Sequence, residues 1–168
     1  RVLFRSVGTR GEVTLTGSAV RAALGLRSTW FSVGWLALTP PASALVYGQA
    51  ATLTGSARGL AAPVTLEQKV ANGSWQPAAA VSPASDGTFG VTLRPAATTE
   101  YRLAVGQVRA ALVRIPVGPV VTASLVAGAV QGSVRPAVVG ATVQLQREDA
   151  AGWQTVATGT TDQTGTFV

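Results

Sequence analysis

The sequence has no cysteine, no histidine and no methionine in its 168 residues. Without cysteine there is no disulfide staple and no thiol nucleophile, and without either cysteine or histidine the usual zinc ligand sets cannot be assembled. The lack of histidine also removes the commonest general base, so Ser-His and Cys-His nucleophile arrangements are excluded within this span. Any catalysis here would rest on seven scattered carboxylates, of which only Glu148 and Asp149 are neighbours. No metal or cofactor is expected. The absence of an initiator methionine leads to the expectation that Arg1 is not a natural start and that the chain is part of a longer one.

Lysine is scarce too. Lys69 is the only one, so the net charge of +6 is carried almost wholly by arginine. This goes with a wealth of Ala, Gly, Val and Pro of the kind a GC-rich coding sequence produces, which makes the basicity a weak pointer to a polyanionic partner. The arginines are spread out, with no basic run and no interleaved aromatics, so nucleic acid is not expected as a partner. No apolar run reaches about 18 residues, so no membrane span is expected. No charged n-region followed by an apolar h-region marks a leader.

What is present is a repeat, though not the most visible one. The string Leu15 to Ala19, LTGSA, recurs at Leu53 to Ala57, but the two copies are followed by unrelated sequence. The longer correspondence pairs Gly55, Ser56 and Arg58 with Gly132, Ser133 and Arg135, then Val64 and Leu66 with Val143 and Leu145. It continues with Trp75-Gln76 against Trp153-Gln154 and Gly87-Thr88-Phe89 against Gly165-Thr166-Phe167. The spacing is that of one small domain, and its slips fall between the matched blocks, where turns tolerate insertion.

Within the first copy, short apolar runs punctuated by Gly, Pro and Asn predict strands at residues 44–47, 50–56, 64–70, 74–79, 88–93, 101–105 and 108–115. So many short strands without a helix predict a mainly β fold of immunoglobulin-like antiparallel sandwich repeats. Alternation assigns faces: Val64, Leu66 and Val70 inward against Thr65, Glu67 and Lys69 outward, and Tyr101, Leu103 and Val105 inward against Glu100, Arg102 and Ala104. Tyr101 stands where such sandwiches place a corner tyrosine whose hydroxyl ties the chain back. In residues 108–115 neither parity is clean, which predicts a bulge. The second copy stops at Val168, soon after Phe167, so its last two strands are expected to be missing, leaving an open edge, an apolar face and marginal stability.

The first 36 residues differ. Two strands across the turn at Gly8 to Gly11 lead to a short helix, for which Ser18 is the expected N-cap and Gly25 the expected stop, with Val20, Ala23 and Leu24 on one face. They are expected to be the truncated end of a mixed α/β domain. Val13 to Val33 resembles the closing segment of the SpoIID/LytB family, the sporulation stage II protein D and amidase enhancer group. The matching residues are Gly17, Val20, Arg21, Leu24, Gly25, Leu26, Ser28, Thr29 and Phe31, with Trp30 as in many of its members from GC-rich bacteria. The resemblance covers about a fifth of the chain. It implies a secreted, cell-wall-associated protein acting on peptidoglycan, either as a lytic transglycosylase or as an enhancer of an amidase. The family's catalytic glutamate and Gly-His-Gly segment are not here, so no catalytic residue carries over and Glu12 is not promoted to that role.

The resulting expectation is a remnant of that domain at 1–36, a linker at 37–43, a complete sandwich at 44–117 and a truncated one at 118–168. The sandwiches are expected to act as non-catalytic spacers or wall-retention modules. The competing reading is an extracellular adhesion or carbohydrate-binding array. Candidate contacts to glycan are Arg21, Trp30, Phe31, Trp75 and Trp153, although packing in or beside the sandwich core at a hairpin is the expectation for Trp75 and Trp153, and core packing for Trp30 and Phe31. For Arg21 an ion pair and a site contact remain equally open. A stripe of Arg94, Arg102, Arg109 and Arg114 would meet anionic wall polymers, a solvated face being the default. Asp86 and Asp162 lack the clustered oxygens calcium needs, and a turn role is expected for them.

Overall fold

A computed structural model of the protein describes residues 3–30, 33–60 and 62–168. It is mainly β, with antiparallel sheets and one short helix among the described residues. The chain opens with a hairpin of β1 (Leu3–Gly8) and β2 (Gly11–Thr16), closed by a cross-strand ion pair of 2.6 Å between Arg5 and Glu12. Helix α1 (Gly17–Ala23) follows directly. Its N-cap is Thr16, not Ser18: Thr16 is the last extended residue, and its hydroxyl accepts the Ala19 N–H at 3.1 Å, leaving Ser18 inside the first turn. The helix stops at Gly25 as expected. There the Gly25 N–H donates to the Ala22 carbonyl and the Leu26 N–H to the Arg21 carbonyl, the paired bonds of a Schellman ending. Ala23 and Leu24 of the expected inner face are exposed, and Gly17 is the helix's buried residue.

The first of the two larger units begins earlier than the sequence suggests. Strand β3 (Trp35–Thr39) pairs antiparallel with β5 (Ala51–Arg58), so residues 37–39, expected in the linker, lie in a sheet, and so do Trp35 and Leu36 of the expected remnant. The cause is the alternation of WLALT, which sends Leu36 and Leu38 onto the core. Strand β4 (Leu45–Val46) follows, and β5 pairs on its other side with β8 (Thr88–Leu93). The second sheet runs in the order β10 (Val108–Ile115), β9 (Thr99–Val105), β6 (Val64–Val70), β7 (Gln76–Val81). Strand β11 (Val117–Gly118) pairs in parallel with β4, bringing the two ends of this unit together.

Both sheets feed one core. Leu53 and Phe89 come from the first, and Leu66, Tyr101, Leu103 and Ile115 from the second. Each fully buried side chain of this size contributes about 1.5–3 kcal/mol relative to exposure, so the inward facing of Leu66, Tyr101 and Leu103 is energetically fixed. Val70, expected inward, is instead exposed at the end of β6, and Ala104, expected outward, is buried between Thr65 of β6 and Arg109 of β10. The bulge lies in β10: Ala111 and Leu112 stand between the pairs Ala110–Leu103 and Val113–Tyr101, against Arg102 alone on β9. One extra residue reverses the facing of the strand. Arg109 therefore points outward while Val113 and Ile115, of the same parity, pack inward.

The second unit repeats the first sheet. β13 (Ala129–Arg135) lies between β12 (Val120–Val126) and β16 (Thr166–Phe167), as β5 lies between β3 and β8. The register is the same: Gly55 stands opposite Phe89, and Gly132 opposite Phe167. A Cβ added at either glycine would come within 2.5 Å of the facing phenylalanine ring, so the ring requires the glycine. The turns before the phenylalanines match as well. Gly87 donates to the Ala84 carbonyl and Gly165 to the Asp162 carbonyl, with both glycines at positive φ, +81° and +77°.

The units differ in what covers β6 and its counterpart. β14 (Thr142–Asp149) forms a hairpin with β15 (Gly152–Thr160) and, among the described residues, has no partner on its other edge, where β6 has β9. Leu66 is completely buried, whereas its counterpart Leu145 is 42% exposed.

Candidate functional site

The densest set of charged side chains lies on the outward face of the sheet β10-β9-β6-β7. Strand alternation puts Glu67 and Lys69 on that face of β6 and Glu100 and Arg102 on that face of β9, while the antiparallel register sets Glu67 opposite Arg102 and Lys69 opposite Glu100. Both pairs close at 2.8 Å. The bulge in β10 turns Arg109 to the same side, where its guanidinium reaches Glu67 at 3.2 Å. Glu67 thus stands between two arginines.

Trp75, in the turn before β7, lies over this network. The Arg102 guanidinium is 4.0 Å from its ring centroid and the Lys69 ammonium 5.3 Å. Such contacts are worth about 0.5–2 kcal/mol, the more so as they desolvate. The ring is therefore half-buried on the outside of the sheet, beside the sandwich and not within its core, and what holds it is cations. The sequence carried a signal for this: opposite charges at alternate positions on two strands pair when the strands are antiparallel neighbours.

The other candidates do not join it. Arg21 is exposed on α1, and Trp30, 92% exposed, projects from the segment after the helix. Phe31 lies outside the described residues. Trp153, at the start of β15 opposite Glu148, is 64% exposed, so it too stays out of the core, and no cation lies over it among the described residues. Packing against a core thus fails for Trp30 and Trp153, because each sits at a turn or hairpin end whose neighbours face water, whereas Trp75 lies beside the sandwich at its hairpin. Of the four arginines expected in a stripe, Arg102 and Arg109 meet on Glu67, Arg94 donates to the Gly48 carbonyl at 3.2 Å, and Arg114 is exposed across from Glu100.

Most carboxylates are committed to structure. Glu12, Glu67 and Glu100 pair with cations, and Asp149 accepts the Ala151 N–H at 2.8 Å. Asp86 accepts the hydroxyl and N–H of Thr88, and these bonds, with Arg58 nearby, hold its carboxyl below the usual range. Asp162 accepts the hydroxyl and N–H of Thr164 and the N–H of Thr166, with the same effect. Both are turn residues, as expected, and among the described residues no group of three or more acidic side chains is placed to hold a metal ion. Tyr101 lies in the core at the start of β9, where burial pushes its hydroxyl above its ordinary pKa, opposed by the Thr99 side chain. Among the described residues no helix is long and apolar enough to cross a membrane. No protein-family model, no curated protein and no solved structure matches the chain.

Proposed function

We propose that the chain is a non-catalytic part of a secreted, peptidoglycan-acting protein of the SpoIID/LytB kind, in which two immunoglobulin-like units act as spacers within the cell wall. The family reading rests on the residues of Val13 to Val33. The immunoglobulin-like reading is supported by the strand order, three strands (β3-β5-β8) sharing a core with four (β10-β9-β6-β7), and by a buried tyrosine, Tyr101, as the third residue of β9. On this reading the upstream part of the protein acts on wall glycan or assists an amidase, and residues 35–168 set its distance from an anchoring point.

One observation carries the spacer reading: the repeat keeps its framework and changes its surface. Gly55, Phe89, Gly87 and their hydrogen bonds recur in the second unit, but Glu67 and Lys69, which build the network under Trp75, become Gln146 and Glu148. Units that each bound the same ligand would keep the contact chemistry. The exposed Trp153 and Trp30 favour the carbohydrate-binding alternative, and co-sedimentation with insoluble peptidoglycan decides between them. The chain is expected to stay in the supernatant at physiological salt, unchanged by Trp153→Ala or Trp75→Ala. Retention that persists at about 1 M salt, where ionic contacts are screened, and is lost in Trp153→Ala would overturn the spacer reading.

A further inference from the structure

We propose that the first unit bears tension: the pairing of β4 with β11 holds it closed when its two ends are pulled apart. The two strands are parallel, with Leu45 beside Val117 and Val46 beside Gly118. The Leu45 N–H donates to the Pro116 carbonyl at 3.0 Å, and the Tyr47 N–H to the Gly118 carbonyl at 2.9 Å. A pull along the chain draws β4 toward its N-terminal side and β11 toward its C-terminal side. In a parallel pair those directions oppose each other along the strands, so the bonds between them are loaded together, in shear. Strands drawn apart from a shared end lose their bonds one at a time.

Such a clamp resists only if each strand is itself held. Leu45 is buried in the core. On the other edge of β4 the Val46 N–H donates to the Gln49 side-chain oxygen at 3.0 Å, the Gln49 N–H returns to the Val46 carbonyl at 3.1 Å, and Arg94 grips the Gly48 carbonyl. β11 is fastened likewise: the Val117 N–H donates to the Thr98 hydroxyl at 3.1 Å, and Ile115, two residues earlier, is completely buried. Pro119 alone stands between β11 and β12, so a pull arriving from the second unit reaches the clamp without slack. β4 is also what the first unit adds to the repeated framework. Only Ala127 and Gly128 separate β12 from β13, whereas β4 stands between β3 and β5. The inference goes beyond the spacer reading, which needs length and no strength, and its test uses no wall material, so the two fail separately.

The test is to pull the full chain in an optical trap along two directions. It has no cysteine, so pairs introduced at exposed positions attach the handles at known places. Ser43→Cys with Pro119→Cys loads β4 against β11 in shear. Asn72→Cys with Ala96→Cys draws β6 and β9 apart from their shared end, where Val70 pairs with Thr99. Matching thermal melts of the two variants show that direction and not stability is being compared. At equal load the lifetime before rupture is expected to be at least about tenfold longer in the first direction. Gln49→Ala, which frees the Val46 N–H, is expected to shorten the lifetime in that direction alone. Equal lifetimes in the two directions, or a longer one in the second, overturn the proposal. So does a Gln49→Ala effect of the same size in both.

Discussion

Asp86 and Asp162 hold corresponding turns from different positions. Asp86 immediately precedes Gly87, whereas Asp162 is three residues before Gly165, yet each carboxylate accepts the hydroxyl and the N–H of one threonine, and Asp162 also the Thr166 N–H. That pattern tells why the two aspartates do not align although the glycines after them do: the turn needs an acceptor and not a fixed residue. A carboxyl whose pKa is depressed in the folded state contributes stability above its unfolded pKa, about 3.9, and loses that contribution as pH falls through the folded value. Thermal melts are accordingly expected to fall as pH drops below about 4, and the slope is expected to be shallower in an Asp86→Asn, Asp162→Asn double variant. A slope unchanged by the double substitution would show that these carboxyls do not carry the acid sensitivity. Residue identity was legible where it served a turn or a core. The setting of Trp75 was not, because a tryptophan held by Arg102 and Lys69 and one packed among leucines look alike until the strands that bring the cations are paired.

Strands β6, β8 and β10 were legible to the residue, since alternation and flanking turn residues agree there, and the bulge followed from the broken parity of residues 108–115. Strand β3 was missed. Its five residues precede Pro40 and Pro41, a pair that suggests a linker, and its membership of the sheet is fixed by pairing with β5, far along the chain. The pairing of Gly55 with Phe89 gives this scale its prediction. Gly55→Ala sets a Cβ against the Phe89 ring and the Ala37 carbonyl, an overpacking expected to cost about 1–3 kcal/mol in chemical denaturation. Gly132→Ala meets the Phe167 ring and the Thr122 carbonyl in the same way, but only the second unit should respond to it. Equal effects on both units from either substitution would contradict two separately packed repeats.

At the scale of the whole molecule, the repeat of about 78 residues was legible from sequence, and its physical meaning is a sheet of three strands built twice in the same register. The expected open edge is likewise present at β14. The resemblance of Val13 to Val33 was legible in the sequence alone, since the side chains of β2 and α1 are mostly exposed. The central claim is that one framework occurs twice, closed in the first unit and open in the second. Native-state hydrogen exchange tests it most directly. The account predicts slow exchange throughout β5, β6 and β9, and exchange at least about tenfold faster in β14 and β15, the matched strands that lack a third neighbour. Equal protection of residues 64–81 and 142–160 in the isolated chain would contradict it.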